Sequence, residues 1–130
     1  LGATTPTRDF NYVEDTCEAF IRVAESNQTI GEVINSASNF EISIGKTALL
    51  IAEIMNQSIE LISDQDRIRP TNSEVNRLFG SNSKIRNLTN WDPKYNGLEG
   101  FKKGLRKTIE WFLDHKNLDL LLLAINFSKY

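Results

Sequence analysis

The sequence is poor in residues that bind metals or form disulfides, because its 130 residues include one cysteine and one histidine. Cys17 has no partner for an intramolecular disulfide, and zinc sites need four ligands drawn largely from cysteine and histidine. These scarcities exclude a disulfide-stabilised domain and a zinc-binding module. We therefore expect a reducing, cytoplasmic location.

Excess positive charge and long apolar runs are also missing. Lys and Arg number 15 against 17 Asp and Glu, so no broad basic surface for nucleic acid or an anionic membrane is expected. The longest apolar run, LDLLLLAI at 118–125, is far shorter than the ~20 residues that a bilayer span needs. Neither nucleic acid nor a membrane is predicted as a partner, and any anion site must be local.

Recognisable catalytic motifs are missing too. SIGKTALL (43–50) resembles a phosphate-binding P-loop, but Phe40 occupies the position of the required first glycine, which excludes that motif. No catalytic triad can be built around His115, whose place near a predicted helix end is explained by the helix dipole. Cys17 falls on the predicted apolar face of the first helix, and we expect it to be a small core residue.

The remaining composition, with 40% hydrophobic and 25% charged residues, is typical of one globular domain. Apolar spacing predicts helices at 12–26, 43–56, 81–90 and 97–116, and strands at 31–37 and 59–63. Ser43 is the predicted N-cap of the second helix. The buried face predicted for the first helix consists of Val13, Cys17, Phe20, Ile21 and Ala24. We therefore expect a small mixed α/β (α+β) domain with a few short strands and about four to five helices.

A basic stretch, RIRPTNSEVNRLFGSNSK (67–84), contains Arg67, Arg69 and Arg77 in a predicted loop, and Arg8 lies upstream in TRDF. The planar guanidinium of arginine suits bidentate recognition of phosphate. Alternatively, these are surface residues in incidental ion pairs. The candidate carboxylates for such pairs are Glu74, Asp66 and Asp9. The residues alone leave both interpretations open.

Five blocks of the sequence, in order, resemble the C-terminal part of extended short-chain dehydrogenase/reductases that act on nucleotide sugars. The blocks are RDFNYVEDTCEAFIRVAE, GEVINSAS, RP with a later R and SK, NWDPKY and GLRKTIEWF, covering about residues 6 to 114. Their sequences most resemble the NAD-dependent epimerase/dehydratase branch of these enzymes. Within it, RIRPTNSEVNRL resembles the UDP-N-acetylglucosamine 4,6-dehydratases of legionaminic-acid-type surface polysaccharide pathways.

The resemblance implies that residues 1–130 are a C-terminal substrate-binding domain, with 118–130 unplaced. In such enzymes an N-terminal Rossmann domain binds NAD or NADP and carries the catalytic residues, and this sequence has neither GxGxxG nor YxxxK. The implied partners are a nucleotide sugar and the Rossmann domain of the same polypeptide, and the chain alone would be inactive, bind no cofactor and self-associate. The alternative is a stand-alone anion-binding or interaction module without enzymatic activity.

The resemblance also implies a diphosphate site. Arg8 of RDF matches an arginine that reaches the diphosphate, Asn35 of VINSAS matches a nearby asparagine, and Arg77 matches an arginine that clamps the phosphates. The acidic residue usual four places after that arginine is Ser81 here, so Arg77 lacks the intramolecular partner that the family pattern would give it. Arg67 and Arg69 are expected to help only electrostatically.

Overall fold

The computed structural model describes residues 1–67 and 75–119. Within these ranges residues 115–119 form a short helical segment. Two single-turn 3-10 helices are also present, at Asn27–Thr29 and Gln65–Arg67. The main elements, in chain order, are β1 (Thr7–Asp9), α1 (Val13–Glu25), β2 (Glu41–Ser43), α2 (Ile44–Ile54), α3 (Ser83–Thr89) and α4 (Gly97–Leu113). The predicted mixed α/β class and helix number are confirmed.

A short sheet forms where the sequence predicted no strand. β1 and β2 pair antiparallel, with Thr7 opposite Ser43 and Asp9 opposite Glu41. Residues 76–78 run parallel to β1 on its other side, and Thr7 exchanges two backbone hydrogen bonds of 2.9 and 3.0 Å with this segment. Three-residue strands are too short to show the alternation of apolar and polar residues that predicts a strand.

The strands predicted at 31–37 and 59–63 are wrong, because neither segment is assigned as a strand in the described structure. Three side chains contact the carbonyls of the first segment instead: Asn11 donates to Ser36, Lys84 to Val33 and Asn82 to Ala37. A strand needs a neighbouring strand to satisfy its backbone groups. The apolar pattern does not reveal whether the chain supplies one.

The four predicted helices are confirmed, with ends shifted by a few residues. Ser43 is the N-cap of α2, as predicted, and its Oγ accepts a hydrogen bond from Lys46 N at 3.2 Å. None of the described helices is both long and apolar enough to cross a bilayer.

The buried face of α1 differs from the predicted one. All five residues of the predicted apolar face are exposed, including Phe20 at 74% and Cys17, which is therefore not a core residue. Asp15 and Ala19 are the buried residues of this helix. The helical periodicity does place these apolar residues on one face of α1, but no described residue covers that face.

The core is small and lies between α1 and α3. Ala19, Ile85 and Trp91 form its buried centre, and Val23 and Ile34 pack against it. Trp91 and Ile85 are the largest fully buried side chains of the described ranges. The turn that follows α3 is therefore part of the core rather than a surface connection.

The carboxylate of Asp15 joins α1 to that turn. Its Oδ1 accepts a hydrogen bond from Lys94 N and its Oδ2 one from Tyr95 N, both at 2.9 Å. Trp91 Nε1 donates to the Asp15 carbonyl at 3.1 Å. Buried polar groups need such partners, and this requirement explains why a charged residue occupies the buried face.

Candidate functional site

A polar cleft of about 330 Å³ opens beside the sheet. Asn35 lines it, together with Asp9, Asn11, Ser36, Phe79 and Gly80. A groove of about 510 Å³ along α2 is larger but is lined largely by apolar side chains such as Leu49, Leu50 and Leu98. The smaller cleft is the candidate site, because Asn35 lines it and because Phe79, which also lines it, contacts Arg77.

Asp9 fixes two backbone segments around this cleft. Its Oδ1 accepts hydrogen bonds from Ser38 N at 2.9 Å and Ser38 Oγ at 2.6 Å, and its Oδ2 accepts from Asn39 N and Gly80 N. A side chain at Gly80 would place its Cβ 2.5 Å from Ala37 Cβ, so glycine allows the two segments to approach. The Asp9 carboxylate therefore holds loops in place.

Arg77 contacts Phe79, which lines the cleft, and is held by Glu41 from β2. Arg77 Nε lies 2.9 and 3.0 Å from the two Glu41 carboxylate oxygens, and its Nη2 lies 2.7 Å from Oε1. The Arg77 guanidinium also lies 4.8 Å from the centre of the Phe79 ring. Glu41 thus takes the place of the acidic partner missing at Ser81, because a strand contact brings this carboxylate from 36 residues away.

Arg8 lies in β1, on the other face of the ladder from Arg77. Arg8 pairs with Ile42, whereas Arg77 pairs with Thr7, and successive strand residues point to opposite faces. Arg8 Nη1 nevertheless donates to Val75 O at 2.7 Å, two residues before Arg77. Arg8 therefore contacts the segment that contains Arg77, from the other face of the ladder.

The other predicted site residues are Asn35, Arg67 and Arg69. Asn35 is exposed within the cleft. Arg67 is 72% exposed at its side chain and pairs with Asp64 at 3.2 Å, whereas Arg69 lies outside the described residues. Arg67 and Arg77 thus both form ion pairs, with carboxylates other than those the sequence suggested.

Sequence reasoning missed Glu41 and Phe79 as neighbours of Arg77 and missed the structural role of Asp9. No local pattern identifies Glu41, since its contact with Arg77 depends on the pairing of β1 with two distant segments. Within the described ranges, no group of three or more His, Cys, Asp or Glu side chains could hold a metal ion.

Three glutamates are stabilised in their charged form by hydrogen-bonded cations. The pKa of Glu41 is lowered by its bonds to Arg77 and then Thr7, that of Glu14 by Lys107 and then Tyr95, and that of Glu32 by Lys84. A lowered folded-state pKa means that the stabilisation is complete above the ordinary value of 4.5 and is lost as pH falls through the folded value.

We expect the melting temperature to change little between pH 7 and 5 through these groups and to fall below pH 4.5. Thermal melts followed by circular dichroism at several pH values measure this. The melting temperature of the Glu41→Gln variant should fall less, because one of the three glutamates with a lowered pKa is gone. An acid dependence identical in parent and variant would show that the Glu41 pair adds nothing to stability.

Comparison with known proteins identifies the family. Residues 1–107 match the family model described as GDP-mannose 4,6 dehydratase. The chain belongs to this family. The predicted class of NAD-dependent nucleotide-sugar dehydratases and epimerases, within the extended short-chain dehydrogenase/reductases, is thereby confirmed at that level.

Two relatives and one solved structure illustrate the range of this dehydratase family. Human dTDP-D-glucose 4,6-dehydratase is 32% identical over 119 residues, which are 88% of this chain and 32% of the relative. GDP-6-deoxy-D-mannose reductase of Pseudomonas aeruginosa is 30% identical over 72% of this chain and 30% of its own length. The Bordetella bronchiseptica enzyme WbmF, solved in complex with NAD+ and UDP, matches with a TM-score of 0.67 and 30% identity over 97% of this chain and 34% of WbmF. The chain thus spans about a third of the length of the family members it matches.

Proposed function

We propose that this chain is the nucleotide-sugar-binding, C-terminal part of an NAD-dependent 4,6-dehydratase or epimerase that works in the cytoplasm on a UDP- or dTDP-sugar. Within the family, a UDP-N-acetylglucosamine 4,6-dehydratase of surface polysaccharide synthesis is the member that we favour, because of the RIRPTNSEVNRL block. The observation that carries the proposal is the contact of Arg77 with Phe79, a residue that lines the same cleft as Asn35.

The diphosphate would lie along residues 75–79, where Arg8 and Arg77 both make contacts. A guanidinium has five N–H donors in a fixed plane. Glu41 engages the Nε and Nη2 side of Arg77, so the Nη1 side remains for a phosphate oxygen. Charge-assisted hydrogen bonds of this kind are stronger than neutral ones, and the amide of Asn35 can add a neutral bond across the cleft.

The rest of the enzyme would cover the apolar surface of α1. Phe20, Ile21 and Val13 are exposed at 74%, 52% and 63%, and Val33 in the neighbouring extended segment is exposed at 84%. None of the backbone N–H groups of residues 33–37 donates to another described residue. Apolar surface and unpaired backbone donors together favour contact with a further domain.

We assign NAD and the catalytic residues to that further domain. A dinucleotide needs a glycine-rich turn that admits its pyrophosphate to a helix N-terminus, and no such turn occurs in this sequence. The residues of this chain would bind and orient the sugar nucleotide. If the isolated chain leaves the α1 surface open, the same surface explains the self-association that we expect of it.

The proposal is tested with the complete polypeptide that contains this chain. Incubation with a UDP-sugar and mass spectrometry of the product distinguish the reactions, since a 4,6-dehydratase removes one water from the sugar and an epimerase leaves the mass unchanged. Calorimetry with UDP tests binding separately. A complete polypeptide that binds neither UDP nor dTDP would show that the cleft has another role.

Arg8→Ala and Arg77→Ala should each raise the KM for the UDP-sugar by about 10- to 100-fold, because each loses a charge-assisted bond of about 1.5–3 kcal/mol. Arg77→Lys should recover only part of this loss, since a point charge cannot reproduce the planar donor pair. NAD affinity should not change. Steady-state kinetics of the complete polypeptide measure these effects.

The control for these variants is Arg106→Ala, because Arg106 is an exposed residue of α4. Its KM should equal that of the parent. If both other alanine variants also kept the parent KM, the arginines would be surface ion-pair partners and the diphosphate proposal would be wrong.

A further inference from the structure

The Glu41 carboxylate is held by a second contact besides its ion pair with Arg77. Thr7 Oγ1 donates to Glu41 Oε2 at 2.8 Å, so the carboxylate is bound by the middle strand as well as by Arg77. The Glu41 side chain is only 29% exposed, whereas the Arg77 side chain is 62% exposed. The acid is therefore anchored in the sheet, and the arginine extends from it.

The strand ladder sets this geometry. β1 is the middle one of three paired segments. On one side it pairs with β2, which carries Glu41, and on the other side its Thr7 pairs with Arg77. The backbone on both sides of Arg77 is bound to β1, since Thr7 N donates to Asn76 O and Leu78 N donates to Thr7 O. Backbone hydrogen bonds therefore fix the Cα atoms of Glu41 and Arg77 relative to each other.

The face of the guanidinium is supported separately from its edge. The Phe79 ring lies beneath it at 4.8 Å and also lines the polar cleft. Ser81, which stands where an acidic partner of Arg77 was expected, shares a hydrogen bond with Ser83 instead. Glu41 is consequently the carboxylate that orients this arginine among the described residues.

We infer that Glu41 is a positioning residue for nucleotide binding: it fixes the Arg77 guanidinium so that the donors of its Nη1 side face the ligand diphosphate. This inference rests on the proposed function. An unrestrained arginine loses side-chain freedom when it binds a ligand, and each such ordering weakens binding by roughly two- to tenfold. With Glu41 in place, that ordering is complete before the ligand arrives.

Charge and positioning predict opposite effects for the Glu41→Gln variant. Loss of a negative charge near the phosphates should strengthen binding of an anion. Loss of the orienting carboxylate should weaken it, because the glutamine amide presents at most one acceptor to Arg77. Weaker UDP binding by the variant would therefore indicate the positioning effect, and tighter binding the charge effect, whatever the size of the change.

The experiment measures UDP affinity of the complete polypeptide by calorimetry, in the parent, Glu41→Gln, Arg77→Ala and the double variant. We expect Glu41→Gln to weaken UDP binding about three- to tenfold in the parent and to have no further effect when Arg77 is already alanine. Glu41→Asp should resemble Glu41→Gln, because the shorter acid cannot span the same contact. Thermal melts identify any variant that fails to fold, and Glu41→Asp then serves in place of Glu41→Gln.

The matched control is Glu18→Gln, which removes another Glu–Arg pair with a Nε–Oε1 distance of 2.9 Å, on α1. It should leave UDP affinity unchanged. Unchanged or tighter UDP binding by Glu41→Gln would overturn the inference, as would an equal effect in the Arg77→Ala background. If Arg77→Ala alone left UDP affinity unchanged, the diphosphate role of Arg77 would itself be wrong, which is a separate result.

Discussion

Replacing Asp15 by alanine should lower the free energy of unfolding by about 3–5 kcal/mol. Asp15 is 3% exposed, and its two carboxylate oxygens each accept a main-chain N–H, from Lys94 and Tyr95. Without the carboxylate, both donors lose their acceptor, and the N–H of Tyr95 is left unpaired in a buried position. Since small domains are stable by only about 5–15 kcal/mol, much of the total stability would be lost.

Urea denaturation followed by circular dichroism measures this change, with parent and variant compared at the same pH. The control is the adjacent Glu14→Gln. Glu14 binds Tyr95 and Lys107, but its side chain is 54% exposed, and exposed ion pairs contribute about 0–1 kcal/mol. An Asp15→Ala variant no less stable than Glu14→Gln would contradict the assigned role of Asp15.

Replacing Trp91 by alanine should lower the free energy of unfolding by a similar amount, about 3–5 kcal/mol. Trp91 is 2% exposed and packs with Ile85 and Ala19 at the centre of the core. The substitution would leave a large cavity in a core that has few other large side chains to fill it. It also removes the indole N–H bond to the Asp15 carbonyl.

Two further variants separate packing from hydrogen bonding. Trp91→Phe keeps most of the ring volume but lacks the N–H, and should cost about 1–3 kcal/mol. Trp111→Ala removes the same side chain from a position that is 45% exposed and should cost less than about 1 kcal/mol. Equal losses from Trp91→Ala and Trp111→Ala in urea denaturation would mean that the core does not centre on Trp91.

The helices could be predicted because their signals are local. The Ser43 cap and the spacing of Phe101 and Leu105 in α4 lie within one or two turns of the residues that they affect. The orientation of α1 could not be predicted, since it depends on whether a distant turn needs the Asp15 carboxylate. Burial in this chain is decided by hydrogen bonding as well as by apolar spacing.

The candidate site was predictable only in part. Arg8, Asn35 and Arg77 were identified through blocks of sequence that resemble a family, not through composition or spacing. Glu41 could not be identified in that way, because its relation to Arg77 exists only once β1 lies between the two. The two strands that the sequence did predict, at 31–37 and 59–63, have β-forming residues but no strand neighbour in the described chain.

The central position of β1 determines when the site can assemble during folding. The Thr7–Glu41 contact spans 34 residues and the Arg8–Val75 contact spans 67. Doubling the length of a closed loop adds about 0.6 kcal/mol of entropic cost, and contacts between distant residues slow folding. During synthesis, β1 must wait for residues 76–78 to leave the ribosome before its second neighbour exists. Helices α1 and α2 are complete by then, so the contact between Glu41 and Arg77 is among the last parts of the molecule to form.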